Sequence, residues 1–144
     1  MLLRYLFPLK GKIQYNPFKN RTIENPKTIG EKIFNRRLEL GLIQADIARR
    51  MDVCIETIAN WETGRGEPQI RSFPKIIEFL GYFPMEIDTS TWAGRIKKYR
   101  FQKGFSQAVF ALKLEVNEST IFHYERGEYI PTLKIMRKIR AFIE

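Results

Sequence analysis

The sequence predicts an all-α protein made of two compact helical bundles in tandem. Three observations lead there: a long internal repeat, apolar residues spaced three and four apart, and helix caps and glycines that bracket each such segment. The repeat decides the domain count, because residues 44–68 align without a gap to residues 107–131. Gln44 recurs as Gln107 and Ala48 as Ala111. This period is too long for a solenoid and fits two small domains.

Four segments follow from these signals. They are an N-terminal basic arm at 1–27, a first domain at 28–81, a linker at 82–91 and a second domain at 92–144.

The first domain opens with Thr28-x-x-Glu31, the pattern of a capping box, and its first helix ends before Gly41. The other predicted helices run from Gln44 to about Met51, from after Val53 to Gly64, and from Ser72 to Leu80, with a helical turn at Gln69–Phe73. In the second domain, N-caps at Thr91, Ser106, Asn117 and Thr132 predict helices at Trp92–Lys103, Gln107–Leu114, up to about Arg126, and at Leu133–Phe142.

The net charge of +9 is unevenly distributed. Residues 1–28 carry six basic residues and one acidic residue, residues 29–81 carry eight of each, and residues 92–144 carry eleven basic and five acidic residues. Positive potential concentrated on the arm and the second repeat favours a polyanionic partner, most simply nucleic acid. The alternative is a surface that serves solubility alone.

Several function classes find no support in the composition. Cys54 is the only cysteine, so no intrachain disulfide can form, and a reducing cytoplasm is the expected location. The apolar stretch Met1–Leu9 is too short to span a bilayer and lacks a cleavage site, so we expect neither a signal peptide nor a membrane anchor. No catalytic constellation, Cys/His metal cluster or phosphate-binding glycine loop is visible, and we expect no enzyme, metal or cofactor.

The arm has no single interpretation. Leu2–Phe7 and Lys12–Tyr15 suit short strands around Gly11, or an irregular segment. A basic aromatic arm reaches along DNA, packs on a partner chain, or is a poorly ordered terminus, and the sequence leaves these open.

Both repeats share a pattern that resembles a known family. In the first repeat it runs from Ile33 and Arg37 through Gly41-Leu42-x-Gln44-x-x-x-Ala48 and Thr57-Ile58-x-x-Trp61-Glu62-x-Gly64 to Pro68, and it recurs from Ile96 to Pro131. It is similar to the DNA-binding domain of phage repressor and Cro-like regulators, the xenobiotic-response-element (Cro/C1-type) helix-turn-helix family. The resemblance implies a lambda-repressor-like, five-helix bundle in each repeat, whose third helix enters the DNA major groove.

The resemblance also implies which residues meet DNA. The base-reading positions are Ile55, Glu56, Thr57 and Asn60 in the first repeat, and Glu118, Ser119, Thr120 and His123 in the second. Gln44 and Gln107 begin the second helix of each repeat, where an amide and free backbone N–H groups suit a phosphate. Arg65 and Arg126 are placed to touch the DNA backbone.

Two further features concern the framework. Arg37 with Glu62, and Arg100 with Glu125, are expected to form structural ion pairs from helix one to helix three, and Trp61 and Tyr124 are expected in the cores. The family usually has glycine in the turn after the second helix, where this chain has Asp52 and Glu115. Glu tolerates a left-handed conformation poorly, so the second turn is expected to be strained or reshaped.

Together these observations predict a transcriptional regulator, such as a repressor, that binds double-stranded DNA sequence-specifically, with one chain acting as a pseudo-dimer on two unlike half-sites. The alternative is an antitoxin-like interaction module, in which the neutral first repeat dimerises or binds a protein and only the second contacts DNA. A homodimer or protein partner therefore stays open. A third reading, double-stranded RNA or a coactivator role, is disfavoured because the A-form major groove does not admit a helix.

Overall fold

The computed structural model describes residues 21–144 and confirms the all-α class: these residues form eight α-helices and no strand. The strands considered for Leu2–Phe7 and Lys12–Tyr15, and most of the basic arm, lie outside the described residues. The helices are α1 (Ile29–Glu39), α2 (Gln44–Met51), α3 (Ile55–Glu62), α4 (Phe73–Leu80), α5 (Trp92–Lys103), α6 (Gln107–Leu114), α7 (Glu118–Glu125) and α8 (Leu133–Ile143), with a short 3-10 helix at Ile70–Ser72.

The start of α1 is capped as the sequence predicts. The Thr28 hydroxyl accepts a hydrogen bond from the Glu31 backbone N–H at 3.1 Å, and the Glu31 carboxylate accepts from the Thr28 N–H at 3.0 Å. The hydrogen bonds from the Thr28 and Lys27 N–H groups hold the pKa of the Glu31 carboxyl below its ordinary value. The end of the arm is also bound to α1, because the Asn35 side chain accepts a hydrogen bond from the Ile23 backbone N–H and donates one to the Ile23 carbonyl.

The last part of each repeat differs between the copies. In the first repeat a 3-10 turn precedes α4, so this repeat has five helical segments. In the second repeat the aligned residues form the start of the longer α8, so that repeat has four. The cause is Pro74, whose counterpart is Arg137. Proline has no N–H to donate to the Ile70 carbonyl, so the α-helix starts only at Phe73 and the turn before it is 3-10, although Phe73 itself has α backbone angles (φ −60°, ψ −39°).

Each repeat encloses its own hydrophobic core. In both, the core is lined by the first helix, the helix pair α2–α3 or α6–α7, and the last helix. The buried members are Ile33, Ile47, Ala48, Met51, Ile58, Trp61, Ile76, Phe79 and Leu80 in the first repeat, and Ile96, Phe110, Ala111, Leu114, Ile121, Tyr124 and Ile139 in the second.

The turns after α2 and α6 have the same shape. Asp52 and Glu115 both adopt the left-handed conformation, with φ, ψ of 56°, 51° and 59°, 45°. Of the two alternatives expected for the second turn, the reshaping is wrong, and Glu115 takes the strained left-handed conformation instead. A lysine of the last helix supports each turn: Lys75 contacts the Met51 carbonyl, and Lys138 binds both the Leu114 carbonyl and the Glu115 carboxylate. This pairing holds the pKa of the Glu115 carboxyl below its ordinary value.

The two repeats pack against each other. Phe73, at the start of α4, meets Phe101 of α5 edge-on, with ring centroids 4.7 Å apart. Residues 82–91, the predicted linker, are also in contact with the first repeat, because Lys32 of α1 donates a hydrogen bond to the Pro84 carbonyl at 2.6 Å and Pro84 is buried. The second repeat is thus held close to the first.

None of the helices within residues 21–144 has the length and apolar character needed to cross a membrane.

Candidate nucleic-acid interface

Helix α3 has one buried and one exposed face. Ile58 and Trp61 point into the core, whereas Ile55, Glu56 and Asn60 are exposed to solvent. Thr57 lies at the edge between the two faces, half-buried, with its hydroxyl 3.0 Å from the Cys54 sulfur. Of the four side chains predicted to read bases, α3 therefore exposes three, and the fourth is half-buried.

Helix α7 repeats this arrangement. Ile121 and Tyr124 are buried, Glu118 and Ser119 are exposed, and Thr120 and His123 are half-buried. Its outer face also carries Phe122, 44% exposed, which the sequence prediction omitted. The signal was present, because Phe122 follows Glu118 by four positions and Ser119 by three, the spacing of one helix face. Its counterpart in the first repeat is the much smaller Ala59.

A buried ion pair ties the first helix of each repeat to the third. In the first repeat Arg37 Nε and Nη2 donate to Glu62 Oε1 and Oε2 at 2.6 and 2.8 Å, and Arg37 Nη1 donates to the Leu42 carbonyl at 3.1 Å. Arginine and carboxylate thus meet in the two-point geometry that fixes orientation as well as distance.

The second repeat contains the same network. Arg100, 5% exposed, holds Glu125 through Nε and Nη2, and its Nη1 donates to the Phe105 carbonyl at 2.7 Å. Both expected ion pairs are therefore present. They join the end of the third helix of each repeat to the first helix and to the loop before the second helix.

The two glutamines complete these networks. Gln44 Nε2 donates to Glu62 Oε2 at 2.8 Å, and Gln107 Nε2 donates to Glu125 Oε2 at the same distance. Each amide nitrogen is thus engaged inside its own domain. What the first turns of α2 and α6 offer to an anion is mainly their leading backbone N–H groups, which have no acceptor within the helix.

The starts of α2 and α6 differ in charge. In α2 the cap residue is Ile43, 60% exposed, and the Asp46 carboxylate accepts its N–H at 3.1 Å. In α6 the neutral Ser106 hydroxyl accepts the Val109 N–H at 3.1 Å. Because a carboxylate repels an anion, the start of α6 is electrostatically more favourable to an anion than the start of α2.

The loops after α3 and α7 also differ. Arg65 in the first repeat is exposed, whereas its counterpart in the second is the acid Glu128. Glu128 accepts a hydrogen bond from His123 at 2.6 Å and forms an ion pair with Arg126. These contacts, His123 first, hold the pKa of the Glu128 carboxyl below its ordinary value, so it stays charged beside two predicted DNA contacts. Sequence reasoning missed Glu128, because the pairing depends on how the loop folds back.

Across residues 21–144 no group of His, Cys, Asp and Glu is arranged to hold a metal ion.

The family model described as helix-turn-helix matches the chain twice, at residues 33–86 and 96–143. No curated protein and no solved structure matches it. The two matched ranges contain both buried ion pairs and both exposed helix faces.

Proposed function

Because this chain belongs to the helix-turn-helix family of Cro/C1-type DNA-binding regulators, we propose that it regulates transcription by reading double-stranded DNA with α3 and α7. One observation carries the proposal: in both repeats the third helix exposes a mainly polar face at its N-terminal end while a buried Arg–Glu pair anchors its C-terminal end. A helix fixed at one end and exposed at the other suits the major groove, whose width admits a helix.

The reading chemistry differs between the repeats. Asn60 offers the paired donor and acceptor that match adenine, and Ile55 offers an apolar surface for a thymine methyl group. In the second repeat Phe122 adds an apolar surface of the same kind, and Ser119 and His123 offer hydrogen-bonding groups. The two half-sites are therefore expected to differ in sequence.

Pairwise alanine substitution tests these assignments. Thr57→Ala with Asn60→Ala should change base preference at one half-site only, and Thr120→Ala with His123→Ala at the other. Each lost bidentate contact costs about 1–3 kcal/mol of discrimination. Selection from random duplexes measures the base preference of each variant. Glu39→Ala is the control, because it changes an exposed residue at the end of α1, outside α3 and α7. If neither pair alters the preference, α3 and α7 do not read DNA.

Neutralising Glu128 should strengthen DNA binding. Glu128→Gln releases Arg126 and His123 from an acid and removes a negative charge beside the phosphates, so affinity should rise about two- to fivefold at low salt. Equilibrium binding at two salt concentrations measures this. Glu86→Gln removes the same formal charge from an exposed position in segment 82–91 and should change affinity less. An unchanged or lower affinity for Glu128→Gln would mean that the loop does not face the duplex.

A second candidate is favoured by the first repeat. It is neutral overall, and the starts of α2 and α3 expose Ile43 (60%) and Ile55 (48%) beside Asp46 and Glu56. Apolar and acidic groups suit a protein surface better than a polyanion. In this antitoxin-like arrangement the second repeat binds DNA and the first holds a protein or a second copy. Binding would then depend on Thr120 and His123 alone, and the Thr57/Asn60 variant would select the same site as the unaltered chain.

A further inference from the structure

The contact between the repeats involves elements that do not correspond to each other. The 3-10 helix and α4, which end the first repeat, pack on α5, which begins the second. The approach is close at Gly104: a Cβ there would lie 3.1 Å from Pro74 Cγ and 3.3 Å from Arg71 Cα. Lys98 of α5 also lies over the Phe83 ring, 5.5 Å from its centroid.

The burial of Phe73 shows that this contact is part of the fold. Phe73 is 4% exposed, yet it belongs to neither hydrophobic core. Its ring is covered by Phe101 from the other repeat. Removing aromatic surface from water stabilises the contact that covers it. The two repeats are thereby held in one relative orientation.

That orientation is not a two-fold one. In the repeat, α1 corresponds to α5, and α4 corresponds to α8. If a two-fold axis related the two repeats, the contact between α4 and α5 would be accompanied by a symmetry-related contact between α8 and α1. Within residues 21–144, α1 and α8 share no comparable packing. The interface is therefore head-to-tail, with the end of one unit on the beginning of the next.

B-form DNA allows two relations between equivalent half-sites. A dyad relates the halves of an inverted repeat, and a screw translation along the helix axis relates the halves of a direct repeat. Two repeats that dock in the same manner must be related as their half-sites are. Since the head-to-tail contact lacks a dyad, we propose that one chain recognises a directly repeated operator, with two unlike half-sites in the same orientation at one fixed spacing. This inference rests on the proposed DNA-binding function.

The test uses the full chain and defined duplexes. Selection with the Thr120/His123 and Thr57/Asn60 alanine variants first gives the half-site of each repeat separately. The two half-sites are then joined in direct, inverted and everted orientation over a series of spacings, on duplexes of about 40 base pairs, roughly four helical turns. The unaltered chain should bind one direct arrangement about 100-fold more tightly than a single half-site, because the second contact becomes intramolecular. Inserting about five base pairs, half a turn, should remove that gain.

A variant that disrupts the contact between the repeats distinguishes the effect of their relative orientation from the base recognition by each repeat. Phe101→Asp places a charge in the contact between the repeats, and Phe101 lies outside both cores. Binding to a single half-site should therefore stay unchanged. The preference for direct over inverted repeats should fall to about twofold or less. Gln102→Asp, at the exposed neighbouring position, should keep the full preference. Tightest binding to an inverted repeat, no gain over a single half-site, or a preference that survives Phe101→Asp would overturn the inference. Absence of any selected sequence would instead refute the proposed function itself.

Discussion

Replacing Glu125 with alanine is expected to lower the free energy of unfolding by about 3–5 kcal/mol. The substitution leaves the Arg100 guanidinium buried without its carboxylate and removes the acceptor for the Gln107 amide. An isolated buried charge costs far more than the net worth of the pair, because water cannot solvate it. Urea denaturation measures the loss, and hydrogen exchange of the α7 amides should locate it in the second repeat.

Two controls give this experiment its meaning. Glu118→Ala removes an exposed acid from the same helix and should change stability by less than about 0.5 kcal/mol. The double variant Arg100→Met with Glu125→Leu removes both charges and should recover most of the stability, since apolar replacements of buried pairs are often neutral. If Glu125→Ala is as mild as Glu118→Ala, the pair does not support the fold.

Gly30→Ala is expected to cost about 3 kcal/mol in the first repeat, the upper part of the range for overpacking. A Cβ on Gly30 would lie 1.7 Å from the carbonyl oxygen of Trp61 and 2.4 Å from its carbon, so α1 and α3 would have to separate. Alanine's greater helix propensity returns at most about 1 kcal/mol and cannot offset the clash. Urea denaturation followed by circular dichroism measures the loss.

Gly66→Ala is the matched control for this prediction. A Cβ at Gly66 meets only Asn60 Cβ at 3.9 Å, an ordinary contact, and Gly66 does not have a positive φ. Its stability should therefore stay within about 0.5 kcal/mol of the unaltered chain. A Gly30→Ala protein as stable as Gly66→Ala would show that α1 and α3 are packed less closely than the structure has them.

The helix boundaries were predictable from the sequence because they depend on residues that are close together in the chain. Thr28 with Glu31 marks the start of α1, and glycines such as Gly104 mark helix ends, because caps and left-handed stops depend on neighbouring residues alone. The repeat extended this reasoning to the cores, since Ile58 and Ile121 occupy the same buried position in both copies. Ion pairs such as Arg37–Glu62 were predictable because both partners recur together.

The features that escaped prediction depend on contacts between distant segments. Gly30 has Ala93 as its counterpart, so the repeat gave no sign that a side chain is excluded there. Within residues 21–144 the Glu128 pairing and the Phe73–Phe101 contact have no equivalent in the other repeat, so the sequence repeat did not indicate them. Pro74 shows the opposite case, because its effect is local: the separate helical turn predicted at Gln69–Phe73 is present as the 3-10 helix at Ile70–Ser72.

The most direct test of major-groove reading is methylation interference at guanine N7, an atom exposed in the major groove. The selected duplex is methylated sparsely, bound by the full chain, and bound and free fractions are compared. We predict two separate clusters of guanines whose methylation prevents binding, one lost from the pattern in the Thr57/Asn60 variant and the other in the Thr120/His123 variant. Interference confined to minor-groove adenine N3, or none at either half-site, would contradict the account.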